Sequence, residues 1–541
     1  MLGSAQFNGA FNMRQKPMRL FLTSICAVGL ITGCQEVSDN RPVKPAKIKQ
    51  STTAHAQLSE SPYKQPNIVI LLADDLGWAD LGFRGSDIET PHIDRLAAEG
   101  LTLNRFYSMP ICTPTRSALM TARDPMKLGT IYAGFQPWQN GGVSPDEHFM
   151  PQSFQAAGYQ TAMIGKWHLG HTAQPLVPNA RGFDHFFGHL NTQIDYYDYT
   201  VAKGYDLQEN GVSMKRPDTY ATDVHASESV RYLTDLRDPE KPFFLYVPFL
   251  APHSPMQAPE ELEAKYSNRP NRPFTKRTYA AMVDSLDQAV GRILDTLDAQ
   301  GLSDNTLVFF FSDNGGLKAF GADNSPYRGG KLETFEGGIR VNALMRWPEQ
   351  IPAGGSSEDV MSVLDVFPTF AQAAGIKMKH EKDLDGQARW SALKNSGEDP
   401  RTGDLYFASN SPIFGKYHVS VMEERWKLVQ IIDHKSAETE VENFLFDMNV
   451  DAQEKNNLAE TNPVIVKRLA GKIQKWRAMH PINGVRVALA PHPGWRAPKD
   501  YAVSVIPADE LQEDYHNSYI SGLRGKILQK RHGDKGRLAY E

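Results

Sequence analysis

The sequence predicts an α/β protein, a large mixed sheet sandwiched by helices with a smaller C-terminal α+β subdomain after it. Three observations point there. A chain of 541 residues is too long for one ordinary domain but suits one large α/β domain with an appendage. Residues 67–73, 243–249 and 306–311 are apolar throughout rather than alternating, as expected of parallel strands buried on both faces. Between them lie stretches of helical period, notably 278–299, where Met282, Leu286, Ala289, Ile293 and Leu297 fall on one stripe.

The first strand, 67–73, ends in Asp74-Asp75. Open α/β sheets take their ligands at the carboxyl ends of their strands. Adjacent acids there are costly unless a cation or hydrogen bonds offset them, so a divalent metal is expected, and a capped turn is the plainer alternative. Residues 91–99 read as a short helix with Ile93, Leu96 and Ala97 on one face. Next comes Cys112-Thr113-Pro114-Thr115-Arg116. Thr113 can cap a helix and Pro114 fits its first position, which sets Cys112 at a helix N-terminus where free N–H groups favour negative charge. Arg116 falls one turn on, on the same side, and its charged fork suits a tetrahedral oxyanion. A buried apolar Cys beside a surface Arg is the competing reading.

Residues 151–157 should be helical and 160–164 should return to the sheet, leading into Gly165-Lys166-Trp167-His168-Leu169-Gly170. In an extended chain Lys166 and His168 point the same way and Trp167 into the opposite layer, placing a cation and a titratable base on one face. A surface Lys beside a structural His fits the same spacing. Asp195-Tyr196-Tyr197-Asp198-Tyr199 could present ring faces to a sugar or pack the core. After the strand 243–249, Ala251-Pro252-His253-Ser254-Pro255 places His253 where it could protonate a leaving group. The strand 306–311 ends in Ser312-Asp313-Asn314, hard oxygen donors at the same edge as Asp74 and Asp75. The glycine-rich run 328–340 surrounds Lys331, and Glu336 has no legible role beyond bracing that loop.

Residues 342–347 should be the last strand of the main sheet and 363–374 its closing helix. Beyond about residue 379 the pattern changes to short strands and a long helix, as at 426–429 and 464–479. The tail from 481 is rich in Arg, His and Trp, including Arg486, His492, Trp495 and Arg496. It could fold back as a carbohydrate subsite, and a surface extension is the plainer expectation. At the other end, Arg14, Lys16 and Arg19 precede an apolar run, 20–31, too short for a comfortable membrane span but right for a signal peptide. Residues 35–65 are polar and read as a tether. The net charge of -5 argues against a nucleic-acid partner, and three Cys with separate roles (Cys26, Cys34 and Cys112) argue against a disulfide framework.

Cys112-x-Pro114-x-Arg116 followed by Ser117-Ala118-Leu119-Met120-Thr121-Ala122-Arg123 closely resembles the signature of type I, formylglycine-dependent sulfatases. Asp74-Asp75-Leu76-Gly77-Trp78, Thr90-Pro91-His92-Ile93-Asp94-Arg95-Leu96-Ala97 and Gly165-Lys166-Trp167-His168-Leu169-Gly170 look like further motifs of that family. Arg181-Gly182-Phe183-Asp184 through Tyr199 is similar to arylsulfatase B and its bacterial carbohydrate-sulfatase relatives, and Leu445-Phe446-Asp447 through Ala459 to the family's C-terminal subdomain. The resemblance implies an alkaline-phosphatase-like fold. It implies that a maturation enzyme oxidises Cys112 to formylglycine, whose hydrated aldehyde is the nucleophile. Asp74, Asp75, Asp313, Asn314 and the modified Cys112 would hold Ca2+, and Asp313 or the metal would help to deprotonate the diol. Arg116 would position the diol, Lys166 and Lys331 would bind sulfate, His253 would act as general acid, and His168 would accept the proton that lets sulfate leave.

Leu30-Ile31-Thr32-Gly33-Cys34 resembles a bacterial lipoprotein box, which implies lipidation at Cys34 and a membrane anchor; an ordinary secretory signal is the alternative. The expected division is a signal peptide at 1–33, a tether at 34–65, a catalytic domain at 66–378, a C-terminal subdomain at 379–480 and an extension at 481–541. The expected function is hydrolysis of sulfate esters on polysaccharide-derived oligosaccharides by an exported lipoprotein of the periplasm or cell surface. Two alternatives stand beside it: a phosphonate monoester or phosphodiester hydrolase of the same superfamily, and a glycan-binding lipoprotein whose Cys112 stays unconverted.

Overall fold

The apolar run Asn67–Ala73 lies at the centre of a ten-stranded mixed sheet in the computed structural model, which describes residues 65–269, 276–378, 384–395, 400–411, 416–433, 440–481, 490–491 and 493–511. The signal peptide, the lipid site at Cys34, residues 34–64 of the tether, Arg486 and His492 lie outside the described residues. From one edge the strands run Gly355–Ser357, Leu101–Leu103, Ala343–Arg346, Thr306–Ser312, Asn67–Ala73, Phe243–Pro248, Gln160–Lys166, His185–His189, Gln208–Glu209 and Val212–Ser213. Asn67–Ala73 pairs in parallel with Thr306–Ser312 and Phe243–Pro248, and Phe243–Pro248 with Gln160–Lys166. Four neighbouring strands therefore deliver their carboxyl ends to one edge.

Alternation along the central strand divides the core in two. Ile68, Ile70 and Leu72 face one hydrophobic cluster, and Val69, Leu71 and Ala73 face the other. The first cluster is closed by helices Cys112–Thr121, Met150–Ala156 and Val363–Ala373. The second is closed by Pro91–Glu99, Ala221–Arg231 and Lys276–Ala299, whose predicted stripe of Met282, Leu286, Ala289, Ile293 and Leu297 is wholly buried. Tyr196 and Tyr199 are buried in this second cluster, and Tyr196 stacks on Tyr220 with centroids 4.9 Å apart, so these rings pack the core rather than face a sugar.

One expectation about the sheet is corrected. Ala343–Arg346, which runs antiparallel to Thr306–Ser312 as a mixed sheet allows, is not the last strand of the sheet. Gly355–Ser357 adds beyond Leu101–Leu103 at the edge, where a polar, partly exposed tripeptide gives no apolar signal.

The smaller unit is a four-stranded antiparallel sheet, Leu405–Ser411, Lys416–Glu423, Trp426–Asp433 and Glu440–Asp447, with the helix Pro463–Arg477 against it through Leu469, Ile473 and Trp476. The strand seen in the sequence at 426–429 lies within Trp426–Asp433, and the helix seen at 464–479 overlaps Pro463–Arg477, which ends two residues earlier. A buried ion cluster fastens this sheet to the main unit through the glycine-rich loop. Lys427 Nζ lies 2.8 Å from Glu336 Oε1 and 2.8 Å from Glu454 Oε1, with all three side chains sealed from solvent. Tyr107 donates to the other Glu336 oxygen at 3.0 Å, and the Glu336 backbone N–H donates to Glu454 at 2.7 Å. Glu336 thus braces the glycine-rich loop by tying it to the second sheet.

The described part of the tail at 493–511 is not a loose surface extension. Residues 493–511 fold back on the main unit, where the Tyr205 N–H donates to the Lys499 carbonyl at 2.9 Å and the Tyr501 N–H to the Tyr205 carbonyl at 2.8 Å. Further along, Gln174 and Ile506 are joined by a 2.8 Å backbone bond, and the Tyr501 side chain is buried.

Lys427→Ala should lower the unfolding free energy by about 3–5 kcal/mol, because it strands two buried carboxylates. Denaturant unfolding read at the buried tryptophans checks this, and a loss under about 1 kcal/mol, the range of an exposed pair, would show that the cluster does not hold the small sheet to the main unit.

Candidate active site

The helix Cys112–Thr121 begins at Cys112 itself, two residues earlier than capping by Thr113 would place it. Ile111 is the extended N-cap residue and offers no side-chain cap. Thr113 is occupied elsewhere, donating its hydroxyl to the His168 carbonyl at 3.2 Å. Pro114 sits at the third position, where the missing N–H has no intrahelical acceptor to lose. Thr115 secures the turn: its oxygen accepts from the Met109 N–H at 2.9 Å and its hydroxyl approaches the Asp313 carbonyl at 2.6 Å. Cys112 is thereby fixed at a helix N-terminus directly over the end of the Thr306–Ser312 strand.

Arg116 is wholly buried, which rules out a surface Arg. Its fork joins two carboxylates: Nη2 lies 3.2 Å from Asp74 Oδ2 and 3.0 Å from Asp313 Oδ2, Nε donates to Asp313 at 3.2 Å, and Nη1 donates to the Lys166 carbonyl at 2.9 Å. Lys166 Nζ is 2.5 Å from Asp74 Oδ2, and Lys331 Nζ is 2.6 Å from Asp75 Oδ1. Three buried carboxylates thus face two buried cations, Arg116 and Lys166, and the partly buried Lys331. Burial works against the charge of Asp74, but Lys166, His253, Arg116 and Lys331 outweigh it and hold that carboxyl well below its ordinary range. Asp313 goes the other way; burial and the Asp74 charge push it up to about 7.

The Cys112 sulfur stands 3.4 Å from Asp74 Oδ1 and 3.5 Å from Lys331 Nζ. Burial, then Asp313 and Asp74, push its thiol pKa up, and Lys166 and Lys331 do not compensate. A thiolate nucleophile is therefore disfavoured in this setting.

His168 departs from expectation in geometry. The strand ends at Lys166, and His168 has φ +60°, so the two do not share a face through simple alternation. Trp167 enters the core as expected. His168 Nε2 lies 3.1 Å from the Phe135 carbonyl, an acceptor that fixes the proton on that nitrogen, and the buried Nδ1 has no hydrogen-bond partner among the described residues. Burial, Lys166 and Arg116 lower its pKa well below the usual value, so the ring is a neutral base. Gly134 makes room for it, since a Cβ there would lie 2.9 Å from His168 Cε1.

His253 donates from Nδ1 to the Ser254 carbonyl at 2.7 Å and turns Nε2 toward Asp75, 3.8 Å away. Burial and Lys331 hold it down at about 4. The Tyr196 hydroxyl holds the loop by donating to the His253 carbonyl at 2.8 Å.

Asp74, Asp75, Cys112 and His253 each offer a ligand atom within 4.8 Å of the others. His253 is thus a fourth neighbour of the acids, a position the sequence reading gave only to an acid catalyst. Asn314 donates its amide to Asp75 at 2.7 Å, and its buried Oδ1 has no hydrogen-bond partner among the described residues. Asp75 is held at φ +69°, a strained conformation of the kind found at functional sites. Hard oxygens from Asp74, Asp75, Asp313 and Asn314 fit a divalent cation of the Mg2+ or Ca2+ kind.

Above Cys112 a cleft of about 460 Å3 opens between His168, His253, Lys331, Gln136 and Trp138. The 134–138 loop was not visible as a site element in the sequence, because it is irregular and its contribution is mostly backbone: the Phe135 carbonyl and the space at Gly134.

The architecture is that of the alkaline-phosphatase-like α/β class, with a separate small antiparallel sheet. A family model described as Sulfatase matches residues 66–376, and one described as N-sulphoglucosamine sulphohydrolase, C-terminal, matches 331–479. The chain belongs to the sulfatase family. It is 35% identical to arylsulfatase J of Mus musculus over 382 residues, 68% of this chain and 63% of that one. It is 36% identical to N-acetylgalactosamine-6-sulfatase of Canis lupus familiaris over 347 residues, 59% and 64% of the two chains. The chain thus spans less than two thirds of the length of either relative. Ps i-CgsB, solved in complex with k-i-k-neocarrahexaose, superposes with a TM-score of 0.70 and 34% identity over 77% of this chain and 94% of that one.

A divalent cation added to chelator-treated protein should raise the thermal midpoint, as any ligand of the native state does, by about 2.7 kcal/mol of stabilisation at a hundredfold excess over Kd. In Asn314→Ala that gain should shrink by at least half; an undiminished gain would place the cation elsewhere.

Proposed function

We propose that this protein hydrolyses sulfate esters on polysaccharide-derived carbohydrate, with an oxygen nucleophile made from Cys112. The observation that carries the reading is the setting of the Cys112 side chain, between a carboxylate at 3.4 Å and an ammonium at 3.5 Å, in surroundings that suppress a thiolate. Oxidation to formylglycine turns this position from a poor thiol nucleophile into a gem-diol. The similarity to N-acetylgalactosamine-6-sulfatase and to a neocarrahexaose-bound protein supports carbohydrate as the substrate class. Location as an exported lipoprotein of the periplasm or cell surface, anchored through Cys34, belongs to the same proposal on the strength of residues 14–34 alone.

The metal of this proposal is calcium, held by Asp74, Asp75, Asp313, Asn314 and the modified side chain at 112. When bound, it supplies positive charge that lowers the pKa of the nucleophile and offsets charge developing on the sulfate. The chain's own groups do the rest. Arg116, locked on Asp74 and Asp313, orients the diol. Lys166 and Lys331 neutralise the sulfate oxygens. One diol oxygen, its proton passing to Asp313, attacks sulfur as the S–O bond to the sugar breaks, and the departing alkoxide takes a proton from His253. With its ordinary state neutral, His253 acquires that proton in the presence of the substrate's negative charge. His168 Nδ1, fixed by the Phe135 carbonyl with its lone pair free, then removes the proton of the second hydroxyl. The C–O bond to sulfate breaks and the aldehyde is restored.

The phosphonate or phosphodiester reading has no specific observation in its favour, and the binding-lipoprotein reading predicts an intact Cys112. The direct test is ion chromatography of the anion released from sulfated oligosaccharides by protein matured with a formylglycine-generating enzyme, beside Cys112→Ala. Sulfate from the first and none from the second is expected; phosphate from a diester, or equal release by both, would overturn the reading. His253→Ala should slow sugar sulfates by about 10²–10⁴-fold, the usual worth of a positioned acid, and activated aryl sulfates far less. Equal loss on both would remove His253 from the acid role.

A further inference from the structure

The cleft above Cys112 has a charged floor and walls of another character. One wall is the 134–138 loop, whose Trp138 lines the cleft. The other is the hairpin Thr200–Val201 and Gly204–Tyr205, from which Val201 and Ala202 reach the cleft and Lys203 is exposed at the tip.

The folded-back tail fastens both walls. Trp495 meets Trp138 edge-on, with centroids 6.0 Å apart and planes at 75°. Tyr205 is bridged to Asp500 and accepts from the Tyr501 N–H, and Gly204 lies so close beneath the tail that a Cβ would come within 2.3 Å of the Pro498 carbonyl and 2.7 Å of the Tyr501 ring. Tyr501 in turn meets the His171 ring at 6.0 Å, and His171 Nε2 lies 3.3 Å from the Pro137 carbonyl, next to Trp138. A segment more than 350 residues away in sequence from Trp138 thus sets the shape of the cleft mouth.

Trp138 lines the cleft and Trp495 lies against it, each half-buried with ring surface still accessible. A flat apolar surface with a polar edge, standing over an anion site, matches the C–H face of a pyranose ring. None of the groups assigned to sulfate, proton or metal lies on this wall. We propose that Trp138 and Trp495 form a subsite for the sugar ring next to the sulfated one, so that the protein selects sulfated oligosaccharides over small sulfate esters. The proposal rests on the sulfatase reading above, and its test separates the two.

The test compares matured wild type, Trp495→Ala and Trp495→Phe on 4-nitrophenyl sulfate and on di- to hexasaccharides of chondroitin sulfate and ι-carrageenan. Trp495→Ala should keep its aryl-sulfate turnover within about twofold and lose about tenfold in kcat/KM on the best oligosaccharide, mainly through KM, because buried aromatic contact is lost. Trp495→Phe should recover most of that loss. Equal loss on both substrates, or no loss on the oligosaccharide, would overturn the subsite, as would a wild type that turns over the aryl ester and no oligosaccharide. Wild type that releases sulfate from none of these would refute the sulfatase reading itself and the subsite with it.

Discussion

The buried fork of Arg116 between Asp74 and Asp313 is the contact on which the site's construction depends. It joins the ends of two central strands to the helix that begins at Cys112, and its other arm holds the Lys166 carbonyl at the end of a third strand. Charges this deep are costly singly and tolerable only in balanced, hydrogen-bonded sets. Asp74, Asp75 and Asp313 against Arg116, Lys166 and Lys331 form such a set. The fold therefore concentrates charge at one sheet edge, while the rest of the edge-forming strands are apolar on both faces. In the proposed reaction an anionic ester would meet cations already in place, with no large reorganisation of the protein before chemistry.

Support for this edge comes from far along the chain. Lys331 lies on a glycine-rich loop with little structure of its own. The loop is held from behind by Glu336 on Lys427 and by the Ser409 hydroxyl on the Leu332 carbonyl. Both contacts come from the small antiparallel sheet. That sheet contributes no group to the charged floor, yet the position of a floor cation depends on it. The tail does the same for the walls, through Trp495 and Tyr501.

Much of this was legible in the sequence for a physical reason. Strands buried on both faces must be apolar runs, and the acids at 74, 75 and 313 stand out because they interrupt such runs where a sheet ends. Residues 112 and 116 are one helical turn apart, so their shared face follows from periodicity. What escaped depends on backbone conformation or distant contact. His168 was expected to alternate with Lys166, and a left-handed φ turned it instead. Thr113 was expected as a cap and was drawn to the His168 carbonyl. The edge strand Gly355–Ser357 leaves no mark in local pattern. The backbone partners of His168 and His171 at Phe135 and Pro137 carry no side-chain signature at all.

In the proposed chemistry, oxygen donors around position 112 hold a divalent cation beside an oxygen nucleophile. Anomalous diffraction from crystals of matured protein grown with calcium tests this arrangement. One strong peak within about 2.3–2.6 Å of oxygens from Asp74, Asp75, Asp313 and Asn314 is expected, with oxygen in place of sulfur at position 112. A cation bound away from these residues, or an intact thiol at 112 in protein that still releases sulfate, would refute it.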